Sequence, residues 1–230
     1  SVVNKEKDRP IIMSLAFHPW FNVQDVQHAR VQIPAQKRWV AEDNIPTGEL
    51  KDVEGKYDLR QPLEIGSQVY DDVFTDLDMR DGASVSRIKD VTDGIAIEVK
   101  AADVFKHLVF YVPGGSKPTL CIEPQTSSTD AFNVVNRGIT ESTPVIIKVG
   151  DTFNAQVTIS ARKLASNLDL FNEEKLAPNH GIQSSRRQPV DSMDQIIAIS
   201  ATKIIDKENG KEWFRDWLAK QPDNIAVVII

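Results

Sequence analysis

Between about residues 10 and 160 the chain is broken too often by turn-forming residues to hold long helices. Its apolar segments are correspondingly short and rich in β-branched and aromatic residues, covering 11–17, 29–33, 84–88, 94–99, 108–112, 119–122, 145–149 and 153–159. Between them lie Pro46-Thr47-Gly48, Asp81-Gly82, Asp93-Gly94, Pro113-Gly114-Gly115 and Gly150-Asp151, all combinations that favour tight turns. Ile95-Ala96-Ile97-Glu98-Val99 and Gln156-Val157-Thr158-Ile159-Ser160 alternate with period two, as antiparallel strands do when one face is wet. Many short strands with frequent turns predict a mainly β fold, an antiparallel sandwich.

The pattern changes after residue 163. Residues 164–192 mix Asn, Ser, Pro, Arg and Gln without a sustained period and read as a linker or irregular extension, with a short helix near 164–176. Residues 193–230 then read as a β-α-β fragment. Its strands fall at 195–200 and 224–230, and a helix over 211–220 brings Trp213 and Trp217 to one face as a packing stripe. A unit this small needs something to dock on. Its last segment, Ile225-Ala226-Val227-Val228-Ile229-Ile230, carries no charge, so it is expected to pair with a sheet or to be followed by more chain. The expected organisation is a sandwich portion over 1–163, a linker over 164–192 and a small α/β extension over 193–230.

Composition narrows the function classes. With 41% hydrophobic and 26% charged residues, 230 residues suit a globular protein with a substantial core. The formal net charge of -6 and the scattered basic residues argue against a nucleic-acid partner. Cys121 is the single cysteine, so no intramolecular disulfide and no cysteine-rich zinc site can form. No apolar run is long enough to span a bilayer. The expectations are therefore no membrane partner and a cytoplasmic location. Phosphate loops, Gly-x-Ser-x-Gly elbows, paired-cysteine spacings and His-Glu-x-x-His helices do not occur.

What remains is a set of residues suited to sugars. Phe17-His18-Pro19-Trp20-Phe21-Asn22 places a histidine and an amide among aromatics. Aromatic faces cover the apolar side of a pyranose, amides and carboxylates bind its hydroxyls, and a histidine can transfer a proton near neutral pH. Pro46-Thr47-Gly48-Glu49, Asp71 in Tyr70-Asp71-Asp72-Val73-Phe74, and Glu123 in Cys121-Ile122-Glu123-Pro124 follow in order. In that order and spacing the four segments resemble the aldose 1-epimerase (mutarotase) family, over residues from about 10 to about 160. The family motif reads His-Pro-Tyr-Phe-Asn where this chain has Trp20.

The resemblance implies a large antiparallel β-sandwich and a monosaccharide substrate, a hexose or a hexose phosphate. Glu123 would act as base on the C1 hydroxyl, His18 as acid on the ring oxygen, and Asp71 as a ligand of sugar hydroxyls. No metal, nucleotide or other cofactor is called for. It is to the later part of the family domain. A family member normally carries about a hundred further N-terminal residues, with a substrate-binding arginine and another histidine. The expectation is thus a sandwich lacking its N-terminal part, completed by such a segment or a docking partner, with weak or no activity in residues 1–230 alone.

Each residue also has a purely structural reading. Asp71 and Asp72 would point to opposite faces of a strand, so only one can reach a pocket, and Asp71 is favoured. Trp20 could stack on the sugar or pack in the core, and Asn22 could bind substrate or cap a strand end. Glu123 could simply end a strand. His28 and His107 have no evident acidic partner and read as structural or solvated. A two-carboxylate glycosidase would leave His18 unexplained. The competing function classes are a carbohydrate-binding protein without catalysis and a truncated or fused product with no competent site.

Overall fold

The computed structural model describes residues 1–114, 117–164, 196–199 and 225–229. Its first strands are β1 (Val2–Val3), β2 (Ile11–Met13), β3 (Trp20–Asn22), β4 (Arg30–Gln32), β5 (Ala35–Glu42), β6 (Ile45–Asp52), β7 (Leu63–Glu64) and β8 (Tyr70–Leu77). Then come β9 (Ala83–Asp90), β10 (Ile95–Ala102), β11 (His107–Val112), β12 (Thr119–Gln125), β13 (Val145–Ile147), β14 (Thr152–Phe153), β15 (Val157–Lys163), β16 (Ile196–Ile199) and β17 (Ile225–Ile229). One short α-helix among the described residues, α1 (Ala131–Asn136), follows β12.

Two large sheets form the body, a mainly antiparallel β-sandwich. One has the order β3-β12-β11-β8-β5-β6, and the other β16-β17-β15-β10-β9-β4-β7. Alternation decides what each strand buries. Leu108, Phe110 and Val112 of β11, Leu120 and Ile122 of β12, and Tyr70 and Phe74 of β8 turn inward to meet Val31, Ile88, Val99, Ala101 and Val157 from the facing sheet. The residues between them point outward, away from this core. That second face of the six-stranded sheet is partly covered by α1, where Val134 packs with Trp39, Val73 and Val109.

The period-two segments become β10 and β15, paired antiparallel from Ile95↔Lys163 to Ala101↔Val157. β17 adds antiparallel to β15, and β16 pairs parallel to β17. The charge-free C-terminal segment therefore extends a sheet, which satisfies backbone groups that an edge strand would leave open. The helices expected near 164–176 and over 211–220, with Trp213 and Trp217, lie outside the described residues. So does most of the linker at 164–192.

Pro46-Thr47-Gly48 is not a turn. It lies within β6, and the reversal comes earlier at Asp43 and Asn44, both with positive φ (47° and 64°), the two-residue geometry that matches strand twist. Pro46 is tolerated because β6 is an edge strand whose outer side needs no donor. Gly48, at φ 106°, lies beside a register shift between Trp39 and Ala41, and any Cβ there would collide with Ile139 Cδ1. The segment at 11–17 forms a strand only over Ile11–Met13, and that at 153–159 splits between β14 and β15. β2 pairs with β13, leaving the cross-strand partners Ile12 and Ile146 both exposed.

Candidate active site

The site is built on the outward face of the six-stranded sheet. On β12 the two-residue period aligns Cys121, Glu123 and Gln125. Antiparallel register sets Tyr111 opposite both Cys121 and Asp71, and Val109 opposite both Glu123 and Val73. These residues come from positions 71 and 73, 109 and 111, and 121 to 125 of the sequence, and the ladder gathers them on one surface. Asp72 points to the other face, where burial raises its carboxyl above the ordinary range.

His18 arrives from the far edge. Ala16 bridges Gln125, Phe17 N–H donates to the Pro124 carbonyl at 3.0 Å, and Trp20 is opposite Cys121 in the β3–β12 pair. His18 therefore falls opposite Glu123. Pro19 has no N–H to donate, so regular pairing is interrupted between the Ala16 bridge and β3. His18 Nε2 lies 3.3 Å from Glu123 Oε1. The two side chains differ sharply in environment, with relative exposures of 55% for His18 and 7% for Glu123. Burial, with a smaller contribution from the Asp71 charge, pushes the Glu123 carboxyl up to about 7. The carboxylate is thus poised to gain or lose a proton near neutrality, beside an imidazole that can exchange one with it.

Around this pair is an open cleft of about 460 Å³, within the range of small-molecule sites. Trp20, 51% exposed, stacks on His18 with ring centroids 5.5 Å apart and meets Tyr111 edge-on at 5.7 Å. Asp71 forms part of the opposite wall, where Asn44 Nδ2 donates to its Oδ2 at 2.9 Å. Gln125, Thr129, Ala41, Val73 and Val109 complete the lining, which contains no Lys or Arg among the described residues. Such a surface offers aromatic area, two carboxylates, two amides and two hydroxyls, a donor and acceptor set suited to a polyhydroxylated ring.

Of the residues singled out in the sequence, His18, Trp20, Asp71 and Glu123 line this cleft together. Asn22 is on β3, exposed and outside the lining. His107 is fully buried in a closed relay. Trp39 Nε1 can only donate, so His107 Nδ1 accepts (3.2 Å), and Nε2–H donates to Thr143 Oγ1 (2.9 Å), whose hydroxyl donates to the Thr126 carbonyl. Burial lowers the His107 pKa to about 4. His28 does have an acidic partner, three residues away: its Nδ1 is 2.8 Å from Asp25 Oδ2 on the exposed surface, and that hydrogen bond raises the imidazole pKa.

Asn44, Tyr111, Gln125 and Thr129 were not singled out in the sequence. Gln125 carried a usable signal, since it is two residues beyond Glu123 on the same strand. Asn44 carried another, because the Asp-Asn pair between polar strands is itself a hairpin signal. Tyr111 and Thr129 reach the cleft through strand register and through the position of α1, neither of which their neighbours in sequence encode.

The family model for aldose 1-epimerase matches residues 1–160. Among solved structures, a galactose mutarotase-like protein from Clostridium acetobutylicum is 24% identical with a TM-score of 0.57, the match covering 68% of this chain and 49% of that one. An Escherichia coli K12 protein described as a putative aldose 1-epimerase is 17% identical, with a TM-score of 0.56 and coverages of 70% and 54%. A galactose 1-epimerase from Lactobacillus acidophilus NCFM is 16% identical, with a TM-score of 0.52 and coverages of 68% and 51%. The chain therefore spans about half the length of these structures, and at such identities the likeness is one of fold.

Proposed function

Because this chain belongs to the aldose 1-epimerase family, we propose that it interconverts the α and β anomers of a free hexose by acid–base ring opening, with Glu123 as base and His18 as acid. The observation that carries this reading is the pair itself. A buried carboxyl raised to about 7 lies 3.3 Å from a half-exposed imidazole, in a cleft of sugar size. The C1 hydroxyl and the ring oxygen are bonded to the same carbon, so their acid and base must also be close neighbours.

In the reaction, ionised Glu123 accepts the proton of the C1 hydroxyl, and the freed electron pair forms the carbonyl. The C1–O5 bond breaks toward O5, which takes a proton from His18 Nε2. The open aldehyde rotates about C1–C2, and O5 then attacks the other face as His18 recovers its proton and Glu123 returns one to O1. All protons balance within the pair. Trp20 and Tyr111 would cover the apolar face of the ring, while Asp71, Asn44 and Gln125 would bind hydroxyls. Asp71 and Glu123, in a lining with no Lys or Arg among the described residues, disfavour a phosphorylated sugar, since a dianion would face like charge.

Polarimetry tests the proposal. Freshly dissolved α-galactose or α-glucose should lose its excess rotation faster with the protein than in buffer alone, and Glu123→Gln should remove the acceleration. Saturable sugar binding without any acceleration would instead favour a carbohydrate-binding protein.

A further inference from the structure

Directly beneath the acid–base pair is a third metal-ligating side chain that the proposed reaction does not use. Cys121 is two residues before Glu123 on β12, on the same face and opposite Trp20. Its sulfur, an imidazole nitrogen of His18 and a carboxylate oxygen of Glu123 all lie within 4.8 Å of one another. Among the described residues this is the one cluster of three such ligand atoms.

The spacing suits a tetrahedral cation. Ligands about 2.0–2.3 Å from zinc are separated from each other by about 3.3–3.8 Å around a tetrahedron. His18 and Glu123 are already at that distance, 3.3 Å. The donor set of thiolate, imidazole and carboxylate selects borderline-soft dications such as Zn²⁺ over Mg²⁺ and Ca²⁺, which prefer oxygen ligands alone. The half-exposed His18 ring forms the solvent side of the cluster, so a cation entering from the cleft meets His18 and Glu123 before the sulfur. His18 and Glu123 line the cleft, so a water entering it is the candidate fourth ligand.

We propose that His18, Cys121 and Glu123 form a binding site for a zinc-like divalent cation, whose occupation removes the lone pairs needed for proton transfer. Binding releases the Cys121 thiol proton to solvent and requires His18 to be unprotonated. The binding itself does not depend on the anomer-interconverting reading; only its inhibitory consequence rests on it.

Cobalt(II) titrated into the full chain tests the site. One equivalent should produce a thiolate-to-cobalt charge-transfer band in the near ultraviolet. Since Cys121 is the only cysteine, no other side chain can supply that band. Cys121→Ser should abolish the band, weaken zinc binding by about 10²-fold or more, and keep both the circular-dichroism spectrum and mutarotation of the parent. His18→Ala should weaken binding by at least about tenfold. Zinc should slow mutarotation by the parent and lose that effect in Cys121→Ser. Cobalt binding without the charge-transfer band in the parent would overturn the proposal, whether or not the serine variant folds. A band in a protein that does not accelerate mutarotation would retire the catalytic reading and leave the metal site standing. An active protein lacking the band would do the reverse.

Discussion

Asn44 at the tip of the β5–β6 hairpin donates to the Asp71 carboxylate at 2.9 Å, tying an edge hairpin to the cleft wall formed by β8. The contact leaves Asp71 with one oxygen committed to Asn44 and the other open to a ligand. Asn44→Ala should therefore release the carboxylate and raise the KM for galactose by about 2- to 10-fold, corresponding to a net hydrogen bond of about 0.5–1.5 kcal/mol. The value of kcat should change little, because Asn44 is not part of the acid–base pair. Initial rates over a range of sugar concentrations separate the two parameters, and an unchanged KM would show that Asp71 does not bind the ring.

Removing either proton-transfer group should be far more severe. Glu123→Gln and His18→Asn are each expected to lower the enzymatic rate by about 10²- to 10⁴-fold. The parent should also lose activity as pH falls through about 7, because the base must be ionised and burial holds its carboxyl near that value. Stability should move in the opposite sense. The unfolded carboxyl releases its proton near 4.5, well before the folded one, so between about 4.5 and 7 rising pH favours unfolding, by on the order of 3 kcal/mol. Denaturant titrations of Glu123→Gln should lack this component.

Trp20 is half-exposed in its stack with His18, whereas Trp39 is buried in the second core. Saturating sugar should change the emission of Trp20, and Trp20→Phe should remove that change. Aromatic stacking of about 0.5–1.5 kcal/mol predicts that Trp20→Ala weakens sugar binding by about 2- to 12-fold. Equal affinities for parent and alanine variant would assign Trp20 to packing alone.

His107 provides a further test through pH. The folded imidazole protonates only near 4 and the unfolded one near 6.5, so the unfolded state gains a proton first as the solution is acidified. Stability is therefore lost as pH falls from about 6.5 toward 4, and the loss levels off below that. Both ring nitrogens are already engaged by Trp39 and Thr143, so a second ring proton would face the Trp39 N–H. His107→Leu should flatten this acid limb. It should also cost about 1–3 kcal/mol at neutral pH for each partner left unsatisfied. Thermal midpoints at pH 7 and pH 5 for both proteins distinguish the two effects.

The sandwich was legible in the sequence wherever one face of a strand is wet. In β10, Ile95, Ile97 and Val99 alternate with residues of the other face, so period two could be read directly. The β5–β6 hairpin was legible only at its Asp43-Asn44 turn, not in its strands. Lys37, Arg38, Lys51 and Asp52 give it little apolar content, and Pro46 and Gly48 imitate a turn inside an edge strand. The site divides in the same way. His18 and Glu123 stand in distinctive local segments, whereas Tyr111 looks like any aromatic in an apolar strand and becomes a cleft residue only through its pairing with Asp71. Cys121 excluded cysteine-rich metal sites from the sequence, but its proximity to His18 required the β3–β12 register.

That register also has a consequence in time. β11 and β12 are consecutive strands and β8 is separated from them by a single hairpin, so Asp71, Tyr111 and Glu123 can be aligned by nearby chain. His18 reaches Glu123 only when residues 16–22 close on β12 from the far end of the sequence. Closing so long a loop is slow relative to hairpin formation. During refolding, sheet signal and burial of the main core should therefore recover first, with quenching of Trp20 by its neighbours and catalytic competence arriving together in a later phase.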